Sequence, residues 1–350
     1  MINPIVSVVV NTYNHEHFIE QAIVSVLEQN FPPGDMEILV VDDGSTDRTA
    51  EIVRRFEPRV RLLRKANGGQ ASAINFGVAH AKGTLIAFLD GDDTWLANKL
   101  QRVVKAFEKD PRLVMVYHKY SFWDVRENHT WEPEFAEISG DILSDRRKLL
   151  AFWGAPTSSL AFRRTVLERV MPVPEECSFM QDAYLIATTV CLGPVLGIAE
   201  CLAKNKVHGQ NLWFAERGVP NIEVLQHRLE TRKAAINSVR SWVRSNGSRL
   251  SRSKIRIMLK SWQLTQDKDE FQLKPPGRFR YFKHLCRYPL AYGPTMTRRH
   301  FAYAWIRALA VLVLGREGLH YVESARTRFK GFAHRVRRWR DPADPKSRTI

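Results

Sequence analysis

Cysteine is scarce: Cys177, Cys191, Cys201 and Cys286 are the four in 350 residues, and no two stand at CxxC spacing. That excludes the framework of a small secreted disulfide scaffold. Reduced thiols in a cytosolic protein are expected, with zinc binding as the alternative. Long apolar runs are missing as well. The nearest candidate, residues 302–314, is shorter than the roughly 18 residues a membrane span needs and is interrupted by Arg307. The first ten residues lack the basic start of a secretory leader and run straight into strand-like sequence, so no leader is expected. Neither GxGxxG nor GxxxxGK[ST] follows the first apolar run, where Asn11-Thr12-Tyr13-Asn14-His15 stands instead. A dinucleotide fold and a P-loop are therefore disfavoured.

Acidic residues are unevenly absent. Residues 201–350 carry 10 Asp and Glu against 32 Lys and Arg, a net of +22, whereas residues 1–200 carry 27 against 21, a net of −6. The whole-chain balance of +16 predicts a polyanionic neighbour: nucleic acid, an anionic membrane surface or a phosphorylated substrate. The split assigns that neighbour to the C-terminal part and leaves the first part for cations or carboxylate chemistry. Hydrophobic residues at 44% and charged residues at 26% exclude wholesale disorder and collagen-like repeats. The length fits one large domain with an appendage, or two domains.

Apolar runs alternate with helix-period segments over the first 120 residues. Strands are expected at 6–10, 37–41, 60–63, 84–89 and 114–117. Helices are expected at 17–28, 47–56 (capped by Ser45 or Thr46), 70–81 and 96–107. This alternation means βαβ units and a mostly parallel sheet flanked by helices. Beyond 120 the pattern is irregular. A hairpin or loop falls at 123–131, a strand at 158–162, a helix at 182–191, and further strands at 194–198 and 202–206. After about Pro220 the chain turns helical and basic, at 222–243 and 253–264, with a break at the Pro-Pro-Gly of 275–277.

In open α/β sheets ligands bind beyond the carboxyl ends of strands. Two acidic clusters fall there: Asp42-Asp43-Gly44-Ser45-Thr46-Asp47 and Asp90-Gly91-Asp92-Asp93. Asp-Gly-Asp suits a hard divalent cation such as Mg²⁺ or Mn²⁺ that shares its coordination with phosphate oxygens. Either cluster alone also fits a solvated Asp/Gly turn; the pair at corresponding strand ends favours a site.

Taken in order, VSVVVNTYN (6–14), SVLEQ (25–29), EILVVDDGSTD (37–47), NGGQASAINFG (67–77), GTLIAFLDGDDTWLANKL (83–100), GAPTSSLAFRR (154–164) and MQDAYL (180–185) resemble the family 2 glycosyltransferases of GT-A fold. The resemblance covers roughly residues 5–215. It implies a catalytic domain over 1–215, with the acceptor side in 120–215, and a basic, mainly α-helical extension over 216–350. It further implies that Thr12 and Tyr13 line the base of a nucleotide-sugar and that Asp43 accepts a hydrogen bond from that base. Asp90-Gly91-Asp92 matches the DXD motif, with Asp92 on the metal and Asp90 on the ribose or metal side. Asp182 matches the base that deprotonates an acceptor hydroxyl, implying direct displacement with inversion; taken alone it also fits a helix N-terminal acid. His208 would add a metal or diphosphate contact, or is a surface-loop histidine. Trp95, Thr157 and Ser158 are candidates for the acceptor side, although strand packing explains Ser158 equally well. Three positions depart from the usual pattern: Asn11 stands where Pro is common, Ile74 where Arg or Lys is common, and Gln181 where an acid commonly precedes the base.

The implied activity is metal-dependent transfer of a sugar to a glycan or lipid-linked acceptor in cell-surface polysaccharide or glycolipid synthesis, in the cytoplasm and peripheral to the membrane's inner face. The alternatives are a nucleotidyltransferase of the same fold or a non-catalytic membrane- or nucleic-acid-binding protein. In the basic tail, Phe329, Phe332, Val336 and Trp339 interleave with Arg and Lys over 326–340, which fits an anionic membrane surface or a helix packed on the catalytic domain. No nucleic-acid-binding module accompanies the charge, so no nucleic acid partner is expected.

Overall fold

The structure is a computed structural model that describes residues 4–133, 137–145, 148–149, 155–178, 180–208, 222–247, 249–273, 278–292, 302 and 304–309. The boundary expected at 215/216, the break at 275–277 and the basic tail at 326–340 lie outside these residues. The chain divides into two compact units, Met1–Trp262 and Gln263–Ile350.

In the first unit β1 (Val6–Thr12), α1 (Ile19–Leu27), β2 (Met36–Asp42), α2 (Thr49–Arg54), β3 (Arg61–Arg64), α3 (Gly69–His80), β4 (Leu85–Asp90), β5 (Thr94–Trp95) and α4 (Lys99–Lys109) follow in order. Then come β6 (Met115–Asp124), β7 (His129–Trp131), β8 (Leu160–Arg163), α5 (Arg164–Val170), α6 (Gln181–Thr189) and β9 (Val195–Val207). The helices α7 (Ile222–Asn246), α8 (Arg249–Leu273) and α9 (Arg278–Tyr292) complete the described elements.

The strands form one sheet in the order β3-β2-β1-β4-β8-β6-β9-β5, with β7 paired to β6. β1, β2, β3 and β4 are mutually parallel, as the continuous apolar runs predict, and every residue of β1 is buried. Past β4 the sheet is mixed: β8 runs antiparallel to both β4 and β6, while β9 is parallel to β6. The two strands expected at 194–198 and 202–206 are one strand, β9. It stays continuous because register shifts at His118/Lys119 and Lys119/Tyr120 absorb the irregularity.

Alternation along the strands feeds two cores. Val9, Ile86 and Phe88 enter one, covered by α3, α5, α6, α7 and the first half of α8. Val6, Val8, Val10, Leu85 and Leu89 enter the other, covered by α1 and α4 through Ile19, Ile23, Val26, Leu100, Val103 and Phe107. The helical spacing of those residues is what makes both helices amphipathic. The cap expected for α2 is not Ser45 or Thr46. The helix starts later, at Thr49, whose N–H donates to Asp47 Oδ1 (2.9 Å), while Ser45 Oγ accepts from Asn14 N (2.9 Å) and Thr46 N donates to Asn14 Oδ1 (2.8 Å). Ser45 and Thr46 thus tie the loop after β2 to the loop after β1.

Candidate active site

The carboxyl ends of β1, β2 and β4 open into a cleft of about 1050 Å³ whose lining includes Thr12, Tyr13, Asp43, Asp90, Asp92, Thr157, Asp182 and His208. At one end Tyr13 is exposed and Thr12 buried, its Oγ1 3.2 Å from His15 Nδ1. Beside them the Asp43 carboxylate is already engaged: Lys65 Nζ donates to Oδ1 (2.7 Å), Gly69 N donates to Oδ2 (2.7 Å) and Gly68 N approaches both oxygens (3.1 and 3.2 Å). Gly69 has φ +84°, a left-handed conformation that glycine adopts without strain, so the 67–69 loop can turn its N–H groups onto the carboxylate.

At the centre is the acidic turn after β4. Gly91 is required there because a Cβ would stand 2.6 Å from Thr12 Oγ1 and 2.9 Å from His15 Nδ1. Gln70 Nε2 donates to Asp90 Oδ1 (2.7 Å), and burial, with the charges of Asp92 and Asp182, pushes the Asp90 carboxyl up to about 7. Burial pushes Asp92 up too, but its hydrogen bond with His208 and the charge of His15 outweigh burial and leave the group below the usual range. The His208 ring, 3.1 Å from Asp92 Oδ2 through Nε2, stacks on Phe18 with centroids 4.3 Å apart. Strand β9 carries His208 to this point because it runs parallel to β6 past the sheet's edge.

Asp93 points inward instead. It accepts from Ser158 Oγ (2.6 Å), Asn205 Nδ2 (2.7 Å) and Lys206 N (3.0 Å), and burial raises its carboxyl well above the ordinary range. Ser158 is the hub beneath the turn. Its Oγ also accepts from Asp90 N (3.0 Å), and its carbonyl accepts from Trp95 Nε1 (2.9 Å) and Lys99 Nζ (2.8 Å). Lys99 is fully buried with its ammonium 3.3 Å from the Trp95 ring centroid. Burial drives its pKa well below the lysine range, against the opposing pull of Asp90 and Asp93.

Two expectations change here. Ser158 and Trp95, expected on the acceptor side, do not line this cleft: both are buried under the acidic turn and bonded to each other. Thr157 lines the cleft, 3.4 Å from Gln181 Nε2. Ile74 is fully buried in the core on α3, which explains why an aliphatic residue suits it.

Asp182, which lines the same cleft, sits in the first turn of α6, half-buried, with Ala183 N donating to its Oδ1 (2.6 Å). Burial pushes its carboxyl up to about 6. That value suits a group that must accept a proton near neutral pH.

The family profile described as Glycosyl transferase family 2 matches residues 7–171, the stretch that builds β1 to β4 and both acidic clusters. That stretch is a glycosyl transferase family 2 domain. The chain is 35% identical over 216 residues to a glycosyltransferase of Nostoc sp., covering 59% of this chain and 66% of that relative. It is 39% identical over 117 residues to the chondroitin synthase of Pasteurella multocida, covering 33% of this chain and 12% of that enzyme. The matches thus span less than two thirds of these relatives' own lengths. Among solved structures, S. aureus TarS 1-349 superposes with a TM-score of 0.59 at 17% identity, over 92% of this chain and 91% of that one. TarS 1-349 in complex with UDP-GlcNAc gives 0.58 at 19% identity, over 91% and 87%. The fold is GT-A.

Sequence reasoning passed over Gln70, Asn205, Lys206 and Lys99. Gln70 lay inside a quoted motif, NGGQ, without a role. The other three reach the acidic turn through the packing of β9 and α4, and nothing local in the sequence reports that packing.

Proposed function

We propose that the chain is a metal-dependent inverting glycosyltransferase. It moves a sugar from a nucleotide-sugar donor to a hydroxyl of a glycan or lipid-linked acceptor in cell-surface polysaccharide or glycolipid synthesis. One observation carries the reading: Asp90 at the end of β4, Asp92 in the turn after it, His208 just after β9 and Asp182 from α6 line a single cleft beyond the carboxyl ends of the parallel strands. The shared fold with a structure in complex with UDP-GlcNAc supports a UDP-sugar as the first donor to try.

The nucleoside lies against Thr12 and Tyr13. Asp43 shapes that end by fixing the 67–69 loop, since three donors already engage its oxygens. Asp90, held by Gln70, faces the ribose and diphosphate. The residues fit a divalent cation: Asp92 Oδ2 and His208 Nε2 are 3.1 Å apart, close to the roughly 3 Å between neighbouring ligand atoms on an octahedral ion with bonds of about 2.1 Å. Among the described residues no group of three or more His, Cys, Asp or Glu could hold a metal alone, so diphosphate oxygens and water would complete the shell. When bound, the ion offsets the charge that develops on the departing diphosphate.

Asp182 accepts the proton of the acceptor hydroxyl while that oxygen bonds to the anomeric carbon. The bond from carbon to diphosphate oxygen breaks, and its electron pair leaves with the nucleoside diphosphate. One displacement inverts the anomeric centre.

Among the described residues no helix is long and apolar enough to cross a membrane. Exposed Phe279, Ile306 and Leu309 lie in the second unit, amid the basic C-terminal sequence. They support peripheral contact with an anionic inner-membrane surface, which co-sedimentation of the full chain with anionic vesicles tests.

A thermal-shift screen of nucleotide-sugars with and without Mn²⁺ tests the main reading. A Mn²⁺-dependent rise for one donor, lost in Asp92→Ala, is expected. A shift indifferent to both Mn²⁺ and Asp92 contradicts it.

A further inference from the structure

Two aromatic side chains that this scheme leaves unused line the cleft, and two further rings continue from them along the β6–β7 hairpin outside its lining. Tyr120 and Phe122, two apart and so on one face of β6, line the cleft together with Asp182. Across the β6–β7 hairpin Phe122 pairs with Trp131 and Asp124 with His129, which puts Trp131 and His129 on the same face. The rings form a continuous run. Tyr120 meets Phe122 edge to face at 5.3 Å, Phe122 meets Trp131 at 5.3 Å and 32°, and Trp131 stacks with His129 at 5.9 Å and 12°. Tyr120, Phe122 and Trp131 are half-buried and His129 is exposed. Burial, with the charge of Asp182, holds the Tyr120 hydroxyl above its usual range, so ring run and candidate base are within electrostatic reach.

We propose that this aromatic run is the acceptor subsite and that it takes a saccharide chain. Sugar rings lay their C–H faces on Tyr120, Phe122 and Trp131 while a terminal hydroxyl reaches Asp182; the assignment rests on the glycosyl-transfer reading above. A sugar ring has an apolar face and a polar rim. Aromatic side chains bury such a face with few rotatable bonds, and the tips of Tyr, Trp and His supply hydrogen bonds at the edge. A lipid tail would favour a groove without those polar tips. The platform is also preformed. Asp124 Oδ1 accepts from Arg126 N (3.0 Å) and Glu127 N (3.1 Å), Trp123 Nε1 donates to Asn128 Oδ1 (3.3 Å), and Asn128 takes φ 46° to close the turn. Little ordering is left to occur on binding.

The full chain, with UDP present, is probed on an array of defined oligosaccharides and bacterial surface polysaccharides, and the best glycan is titrated by calorimetry. Trp131→Ala and Phe122→Ala should each weaken that glycan about three- to tenfold. Trp131→Phe should recover most of the loss, which a merely structural role would not require. Should Trp131→Ala fail to fold, His129→Ala, at an exposed position, should still weaken the glycan two- to threefold. Affinities unchanged in Trp131→Ala and His129→Ala, a wild type that retains no glycan, or loss of anionic-vesicle binding in place of glycan binding would each overturn the assignment. Ring-dependent glycan binding without nucleotide release from any donor would support the subsite and remove the transferase reading. Nucleotide release with no dependence on the rings would do the reverse.

Discussion

From β3 to β4 the sheet is parallel, and two of its strands, β2 and β4, end on the acids expected to meet the donor. From β8 to β5 it is mixed and bulged, and its contributions to the cleft depend on register. In the first half each βαβ unit places its loop at the same edge, so a strand read from sequence already locates a site residue. In the second half His208 reaches Asp92 only because β9 stays paired with β6 through two register shifts. The acids after β2 and β4 are therefore legible in local sequence, whereas the contribution of β9 depends on long-range pairing.

If the halves differ in this way, the largest effects should come from the acidic turn where they meet. Asp92→Ala should lower transfer by at least about 10³-fold and abolish Mn²⁺-dependent nucleotide binding, both measured on the purified protein. Gly91→Ala should follow, because the added Cβ meets Thr12 Oγ1 at 2.6 Å. A loss of about 1–3 kcal/mol by denaturant unfolding and a larger loss in donor affinity are expected. A tolerated Gly91→Ala would break the claim that β1 and the turn after β4 touch.

On the other half, burial holds the Asp182 carboxyl at about 6; if it is the proposed base, the transfer rate should climb about tenfold between pH 5 and pH 7 as it ionises and then level off. A rate that falls over that range would reverse the assignment of Asp182. The smallest effect concerns the support beneath the turn. Ser158→Ala deprives Asp93 of one of three donors and Asp90 N of its acceptor. About 1–3 kcal/mol of stability should be lost, a Tm fall of a few degrees, with kcat reduced less than tenfold.

Why the sequence carried the donor side is physical. β1, β2 and β4 are buried on both faces, so they read as predominantly apolar runs, and the Asp residues after β2 and β4 also line the cleft. Ser158 and Trp95 show where this reasoning stops. Each has the chemistry of a binding residue, and only the packing of β8 and α4 under β4 turns them into internal supports. The short helix α5 was missed because its seven residues span too little of the helical period to stand out. The buried Lys99 was passed over because lysine at the start of an amphipathic helix normally reads as solvated.

The central claim is that one cleft holds donor and base as separable parts, and Asp182→Asn separates them most directly. Calorimetry should show donor affinity within about twofold of wild type, while single-turnover transfer to the acceptor falls by about 10²–10⁴-fold. Transfer at the wild-type rate would contradict the account.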